Sequence, residues 1–259
     1  MSHTRAPGPA GTLALDDGGH DGVPVVLAHS LAGTSAHWSR QLQHLRSSRR
    51  AVAFDFRAHG ASEPARDRDY SISGLAGDLA AVVDSLGIGR FVLVGHSLGG
   101  GVALKYAGAH ADRVAGLLLL DPIGDGTQIP AEQAAAFLQA LQADYDNVIQ
   151  GYWSQIAGPN ATVKERLMAD LRATPREAVE QLFGEVMQFD PRPSLAGYRG
   201  PILSVVTPNN DEPFSLHRVG KGFPHRVVTD TGHWIQLDKP DVVNQLLDEF
   251  LTRKRGTTA

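Results

Sequence analysis

The chain contains no cysteine. That excludes disulfides, a thiol nucleophile and a Cys-ligated zinc. It also has no surplus of positive charge. A net charge of −4 argues against nucleic acid as a partner. No long hydrophobic run is present either. An aliphatic stretch such as Leu117–Leu120 is far too short to span a bilayer, so no membrane association is expected. The N-terminal MSHTRAPGPAGT has no apolar core of signal-peptide length, and the expectation is a soluble, cytoplasmic protein. Neither G-x-G-x-x-G nor G-x-x-x-x-G-K-[ST] occurs, which weakens nucleotide binding. No pair of histidines at helical i, i+4 spacing with an acidic neighbour appears, so neither a metal nor a cofactor is expected. Internal repeats and long charged blocks are absent too. What remains, 259 residues with 42% apolar and 20% charged content, suits one large globular domain or one domain with an insertion.

Within that ordinary composition one stretch stands out: Arg90-Phe91-Val92-Leu93-Val94-Gly95-His96-Ser97-Leu98-Gly99-Gly100-Gly101. An apolar run ends in G-H-S-L-G, and a helix-compatible segment, Val102–Ala109, follows. This is G-x-S-x-G in its required setting of strand, turn and helix. Gly95 and Gly99 remove Cβ atoms where the backbone must turn sharply. Ser97 then sits at a strained apex, at a helix N-terminus whose unpaired N–H groups can face a developing negative charge. Ser97 is the candidate nucleophile.

Buried-strand patterns occur at Val23–His29, Ala51–Phe56, Phe91–His96 and Val114–Leu120, after a shorter strand and an Asp16–Gly19 turn. Between them lie one-faced helices, one carrying Trp38, Leu42 and Leu45, and a clear one over Ser71–Leu86 stopped by Gly87. The alternation predicts an α/β fold with a doubly wound, mainly parallel sheet. His29, Asp55, Ser97 and Asp121 fall at strand carboxyl ends, where such sheets hold their chemistry. From Ile123 to about Gly200 the rhythm breaks into three expected helices, read as a lid inserted after the sixth strand. Within it 131–157 is one apolar stripe, and Thr162–Glu165 and Thr174–Glu177 read as capping boxes. Most of the stripe packs the lid on the core, with members such as Phe137, Trp153 or Phe183 expected to face a substrate pocket. Strands resume at Pro201–Thr207 and His225–Asp230, and a last helix from Pro240 is expected to bury Val242, Val243, Leu246, Leu247, Phe250 and Leu251. Arg253–Arg255 complement its dipole. The division is therefore a core of 11–122 and 200–255, a helical lid of 123–199, and a disordered 1–10.

A serine hydroxyl needs a base, and the base needs an orienting acid. His233, in T-G-H-W directly after the last strand, is the best placed of the 11 histidines. His96 packs under the elbow. With these residues in view the chain resembles the α/β-hydrolase family, of the lidded kind that includes carboxylesterases, lactonases and carbon–carbon bond hydrolases. The likeness spans about residues 12–251. L-A-H-S-L-A-G-T at 27–34, D-F-R-A-H-G-A-S at 55–62, G-H-S-L-G-G at 95–100 and G-H-W-I-Q-L-D-K-P at 232–240 carry it.

The resemblance implies an oxyanion hole built from the N–H groups of Leu31 and Leu98. Ser30 stands where the family commonly has glycine, and Arg57 and His59 hold their loop. Ser97 itself argues against dehalogenation, which uses an aspartate there. For the acid, the family position after 201–207 falls on Asn210, an amide that cannot compensate an imidazolium. Asp211, Asp121 and Glu212 remain as alternatives, in that order. The resulting reading is a cofactor-independent serine hydrolase acting on a small-molecule ester or lactone, as a monomer or homodimer. The rivals are a carbon–carbon bond hydrolase of vinylogous diketones and a hydrolase-like ligand-binding receptor with little turnover.

Overall fold

Val25, Val26, Leu27 and Ala28 are all buried, with Val25 and Leu27 in one apolar core and Val26 and Ala28 in another. A run without polar alternates is what a strand covered on both faces requires. The computed structural model describes residues 4–219 and 222–252. Eight strands form one sheet: β1 (Thr4–Pro7), β2 (Thr12–Gly18), β3 (Val25–Ala28), β4 (Ala51–Phe54), β5 (Phe91–His96), β6 (Val114–Leu120), β7 (Ile202–Val206) and β8 (His225–Val227). Their order is β1-β2-β4-β3-β5-β6-β7-β8. The two pairs that β2 makes, with β1 and with β4, are antiparallel, and every other pair is parallel. The mainly parallel α/β sheet expected from the sequence is therefore the observed one.

Helices cover both faces. α1 (Ser39–Leu45) packs beside the closing helix on one face, and α2 (Ile72–Ser85) and α3 (Leu98–Ala109) pack together on the other. Between β6 and β7 come α4 (Ala131–Ala143), α5 (Tyr145–Ile156), α6 (Ala161–Ala173), α7 (Arg176–Gln188) and α8 (Arg192–Gly197). A short α9 (Ile235–Asp238) and α10 (Pro240–Thr252) end the chain's described part. None of the described helices is long and apolar enough to cross a membrane.

Several local expectations need correction. Residues 4–7, expected to be disordered, form β1, because the Gly8–Gly11 segment closes a hairpin (Gly8 N–H to Gly11 carbonyl, 2.8 Å) and Ala6 is buried. The single stripe at 131–157 is two helices, broken at Asp144, whose φ of −143° leaves the helical region. The insertion thus holds five helices where three were expected. Thr162 lies inside α6, which Asn160 caps instead through Val163 N–H at 3.3 Å. Thr174 donates to the Asp170 carbonyl at 3.0 Å, so it closes α6 rather than opening α7. On α10, Val243, Leu246, Leu247 and Phe250 are buried but Val242 is exposed. Arg253–Arg255 lie outside the described residues.

The loop after β4 is held by a buried ion pair. Arg57 Nη2 donates to Asp78 Oδ1 at 2.6 Å and Nε to Oδ2 at 2.8 Å, with both side chains nearly inaccessible. Its remaining donors reach the carbonyls of Asp69 and Gly74, both at 2.8 Å. His59 Nδ1 donates to the Arg57 carbonyl at 2.9 Å, so both residues fix the loop, as expected. Breaking one partner of such a pair leaves a buried charge uncompensated. Asp78→Ala should therefore lose about 3–5 kcal/mol in urea unfolding, whereas Arg57→Met combined with Asp78→Leu should recover most of it. Equal losses in the single and double variants would show that the two charges do not depend on each other.

Candidate active site

Ser97 follows β5 directly and precedes α3, with φ 54° and ψ −118°. That backbone is open to a non-glycine residue only where its surroundings enforce it. A Cβ on Gly95 would strike the Gly99 carbonyl, and one on Gly99 would strike the His29 carbonyl. The sharp turn thus depends on the two glycines, and it brings the start of α3 into backbone contact with the end of β3. Leu31 and Leu98 are buried, and both line a small chamber of about 60 Å³ with Ser97. Neither N–H is used in a loop or cap hydrogen bond among the described residues.

His233 Nδ1 donates to Asp121 Oδ2 at 2.7 Å. Asp121 directly follows β6 with a φ of 42°, is 2% exposed, and accepts at Oδ1 from the Thr207 N–H at 2.7 Å. The Thr207 hydroxyl also reaches Asp121 Oδ2, at 3.0 Å. Asp211 does not join this group. Its Oδ1 accepts from His217 Nε2 at 2.9 Å and Arg218 Nε at 2.8 Å, and this pairing holds the carboxyl below its usual range. The first-ranked sequence candidate is therefore corrected: the carboxylate on His233 comes from the end of β6, not from the loop after β7. Glu212 uses its backbone N–H on Ser215 Oγ at 2.8 Å, and the carboxylate that His233 Nδ1 meets is Asp121. Thr207, which holds Asp121 from the adjacent strand end, had no signal in the sequence beyond its place after PILSVVT.

The floor beneath the site is built from buried imidazoles. His96 Nε2 donates to the His233 carbonyl at 2.9 Å and its Nδ1 accepts from Gln236 at 3.0 Å. His29 Nδ1 donates to the Ser30 carbonyl at 2.7 Å and Nε2 accepts from the Phe56 N–H at 3.0 Å. Each ring is fixed in one tautomer by its two neighbours. The Ser30 hydroxyl accepts from Trp234 Nε1 at 3.1 Å, a role the sequence did not signal. The His233 N–H donates to the Ile156 carbonyl at 2.8 Å, tying this loop to the end of α5.

A chamber of about 480 Å³ opens over Ser97, Asp121 and His233. Phe137 and Phe183 line it, while Trp153 lines the small chamber beside Ser97. Among the described residues, Asp211, His217 and His225 bring possible metal-ligand atoms within 4.8 Å of one another. His217 and the Arg218 guanidinium both bond Asp211 Oδ1, a hydrogen-bonded cluster around one ion pair.

Burial lowers the pKa of His29 and His96 well below the ordinary imidazole value, and that of His37 and His59 below it. Below about pH 6.5 the unfolded chain takes up protons that these native rings refuse. Their contribution to stability is full above that pH and is lost as the pH falls from there toward the depressed native values. The melting temperature should be level from pH 8 to 7 and decline toward pH 5.5, with a shallower decline in His96→Gln. A level melting temperature down to pH 5.5 would show that these rings are not held neutral.

Comparison with known proteins places the fold. The alpha/beta hydrolase family matches residues 25–246. The chain is 31% identical over 248 residues to the dihydrolipoyllysine-residue acetyltransferase component of the acetoin cleaving system of Pseudomonas putida, covering 91% of this chain and 65% of that protein. It thus spans just under two thirds of that relative's length. It is 26% identical over 251 residues to the sn-1-specific diacylglycerol lipase of Mus musculus, covering 88% of this chain and 80% of the lipase. Among solved structures, an N-acyl homoserine lactone degrading enzyme superposes with a TM-score of 0.79 at 27% identity, over 95% of this chain and all of that one (100%). An esterase from Exiguobacterium antarcticum superposes at 0.82 and 18% identity over 96% of this chain and 99% of that one, a likeness of fold alone. With the family match running from β3 into α10 and the elbow at the carboxyl end of a mainly parallel sheet, the chain belongs to the alpha/beta hydrolase family.

Proposed function

We propose that the chain is a cofactor-independent serine hydrolase that cleaves a carboxylic ester or lactone through an acyl-enzyme. The observation that carries this reading is the His233–Asp121 hydrogen bond of 2.7 Å in a chamber that Ser97 also lines. Asp121 holds the tautomer that leaves His233 Nε2 toward the cavity, and stabilises the imidazolium when it forms. His233 takes the Ser97 proton as Oγ attacks the carbonyl carbon. The oxygen that becomes negative is held by the N–H groups of Leu31 and Leu98. His233 then gives its proton to the departing alkoxide, and the acyl group stays on Ser97. Water, deprotonated by His233, attacks the acyl-enzyme and releases the acid and free Ser97. In a lactone the leaving oxygen remains part of the product.

Residues 123–199 act in this reading as a lid on a core of 11–122 and 200–255, and select the acyl chain through Phe137, Phe183 and Trp153. His96 is a positioning residue that holds the His233 backbone. The lipase and the lactone-degrading enzyme among the similar proteins support ester and lactone chemistry.

A fluorophosphonate should label the wild type once and leave Ser97→Ala unlabelled, and that substitution should cost on the order of 10⁶ in turnover of a p-nitrophenyl ester. Labelling that survives it would remove Ser97 from the mechanism. Asp121→Asn should lose about 10⁴ in turnover, as in the serine-protease template, because an amide can select the other tautomer. Asp211→Asn should keep its rate. The reverse pattern would assign the acid to Asp211.

A further inference from the structure

Tyr152, on α5, carries a hydroxyl that the fold leaves without a task. Its ring is edged by Phe137, Trp153 and Phe183, at centroid distances of 5.9, 5.8 and 5.7 Å. That aromatic nest would hold a phenylalanine as well. The residue is 38% exposed, yet burial raises its phenol pKa, and the Asp121 charge adds to the effect. The two agree because its free surface faces the cavity: Tyr152 lines both the large and the small chamber, which meet at Ser97 and His233. No hydrogen bond to the hydroxyl is formed among the described residues, and a substrate that closes over it in this largely apolar chamber without offering an acceptor leaves it unpaired at a cost.

Trp153 Nε1, buried and without a partner among the described residues, is a second free donor in the small chamber; of the remaining inner polar groups outside Ser97 and His233, most are engaged. The Thr207 hydroxyl is spent on Asp121, and the Asn210 amide donates to the Pro122 carbonyl at 3.0 Å. Gln133 and Asn209 are exposed at the rim. No Lys or Arg is among the described residues that line either chamber, and the one carboxylate there is Asp121. An anionic substrate would find no counter-charge and a like charge near the reacting carbonyl.

We infer that the Tyr152 hydroxyl donates a hydrogen bond to the substrate, to a second acceptor oxygen close to the scissile carbonyl. The site then selects uncharged esters and lactones that carry an ether, keto or amide oxygen there. This inference rests on the hydrolase reading for the identity of the scissile bond. The donor itself needs only the cavity. Tyr152 is a specificity-determining residue: without the acceptor oxygen a substrate leaves the hydroxyl unpaired, and the site discriminates by that penalty.

Two esters of equal length test it, benzyl hexanoate and benzyl propoxyacetate, which differ by one methylene replaced with an ether oxygen. Binding is measured by calorimetry in Ser97→Ala, where nothing turns over, and in the Ser97→Ala/Tyr152→Phe double variant. Turnover of both esters is measured in the otherwise wild-type chain. The ether-to-alkyl affinity ratio should be about fivefold higher with Tyr152 than with phenylalanine, the size of one net hydrogen bond. Comparing the ratio across the two variants cancels the esters' different hydrophobicity. An unchanged ratio overturns the inference, even if the wild type hydrolyses both esters. A fivefold fall in a protein that hydrolyses neither ester leaves the donor in place and overturns the hydrolase reading instead.

Discussion

The site depends on one steric constraint, the close backbone approach at the elbow after β5. Gly95 and Gly99 have no room for a Cβ, and Ser97 between them is held at φ 54°. Because β3 lies beside β5 in the sheet, the same approach presses the start of α3 against the end of β3. Leu98 and Leu31 thereby reach one small chamber from two distant segments of sequence. In the proposed mechanism, an oxyanion pocket made this way would be preorganised by sheet pairing, and a developing charge there would meet dipoles already in place.

A second layer of buried imidazoles supports that arrangement. His96 and His29 use both ring nitrogens on backbone or amide partners, and burial keeps them neutral. A neutral ring with one donor and one acceptor can link two loops without the cost of a buried charge. His96 thus joins β5 to the His233 loop, and His29 joins the end of β3 to Phe56. The inserted helices share in this. The His233 N–H is bonded to the end of α5, and His37 Nε2 meets Asp170 of α6 at 2.8 Å. Rearrangement of these helices would therefore be felt at the histidine loop as well as at the cavity wall.

Much of this was legible because it is local. The elbow needs a strand, two glycines and a helix within a dozen residues, and the spacing alone displays them. The helix over Ile72–Ser85 announces itself by its apolar face and by Ser71, whose side chain accepts from the Gly74 N–H at 3.0 Å. Local patterns also misled. The Pro- and Gly-rich start looks disordered by composition, yet its glycines close a hairpin that pairs β1 with β2. The stripe at 131–157 keeps helical spacing across Asp144 although the backbone leaves the helix there, because side-chain periodicity does not record a single residue's φ.

The sequence by itself determined the strand–helix alternation, the elbow serine and the histidine after the last strand, since each is encoded by neighbours within a few residues. It could not decide which carboxylate meets that histidine. Asp211 and Asp121 both follow apolar strands, and the family position after 201–207 favoured Asp211. The choice was made by the order of strands in the sheet. Asp121 directly follows β6, between β5 and β7, and Thr207 just after β7 turns its carboxylate inward. Asp211 lies one loop farther on, where His217 and Arg218 capture it at close range. Competition among hydrogen-bond partners is settled by distances in space, and those exist only once the sheet has formed.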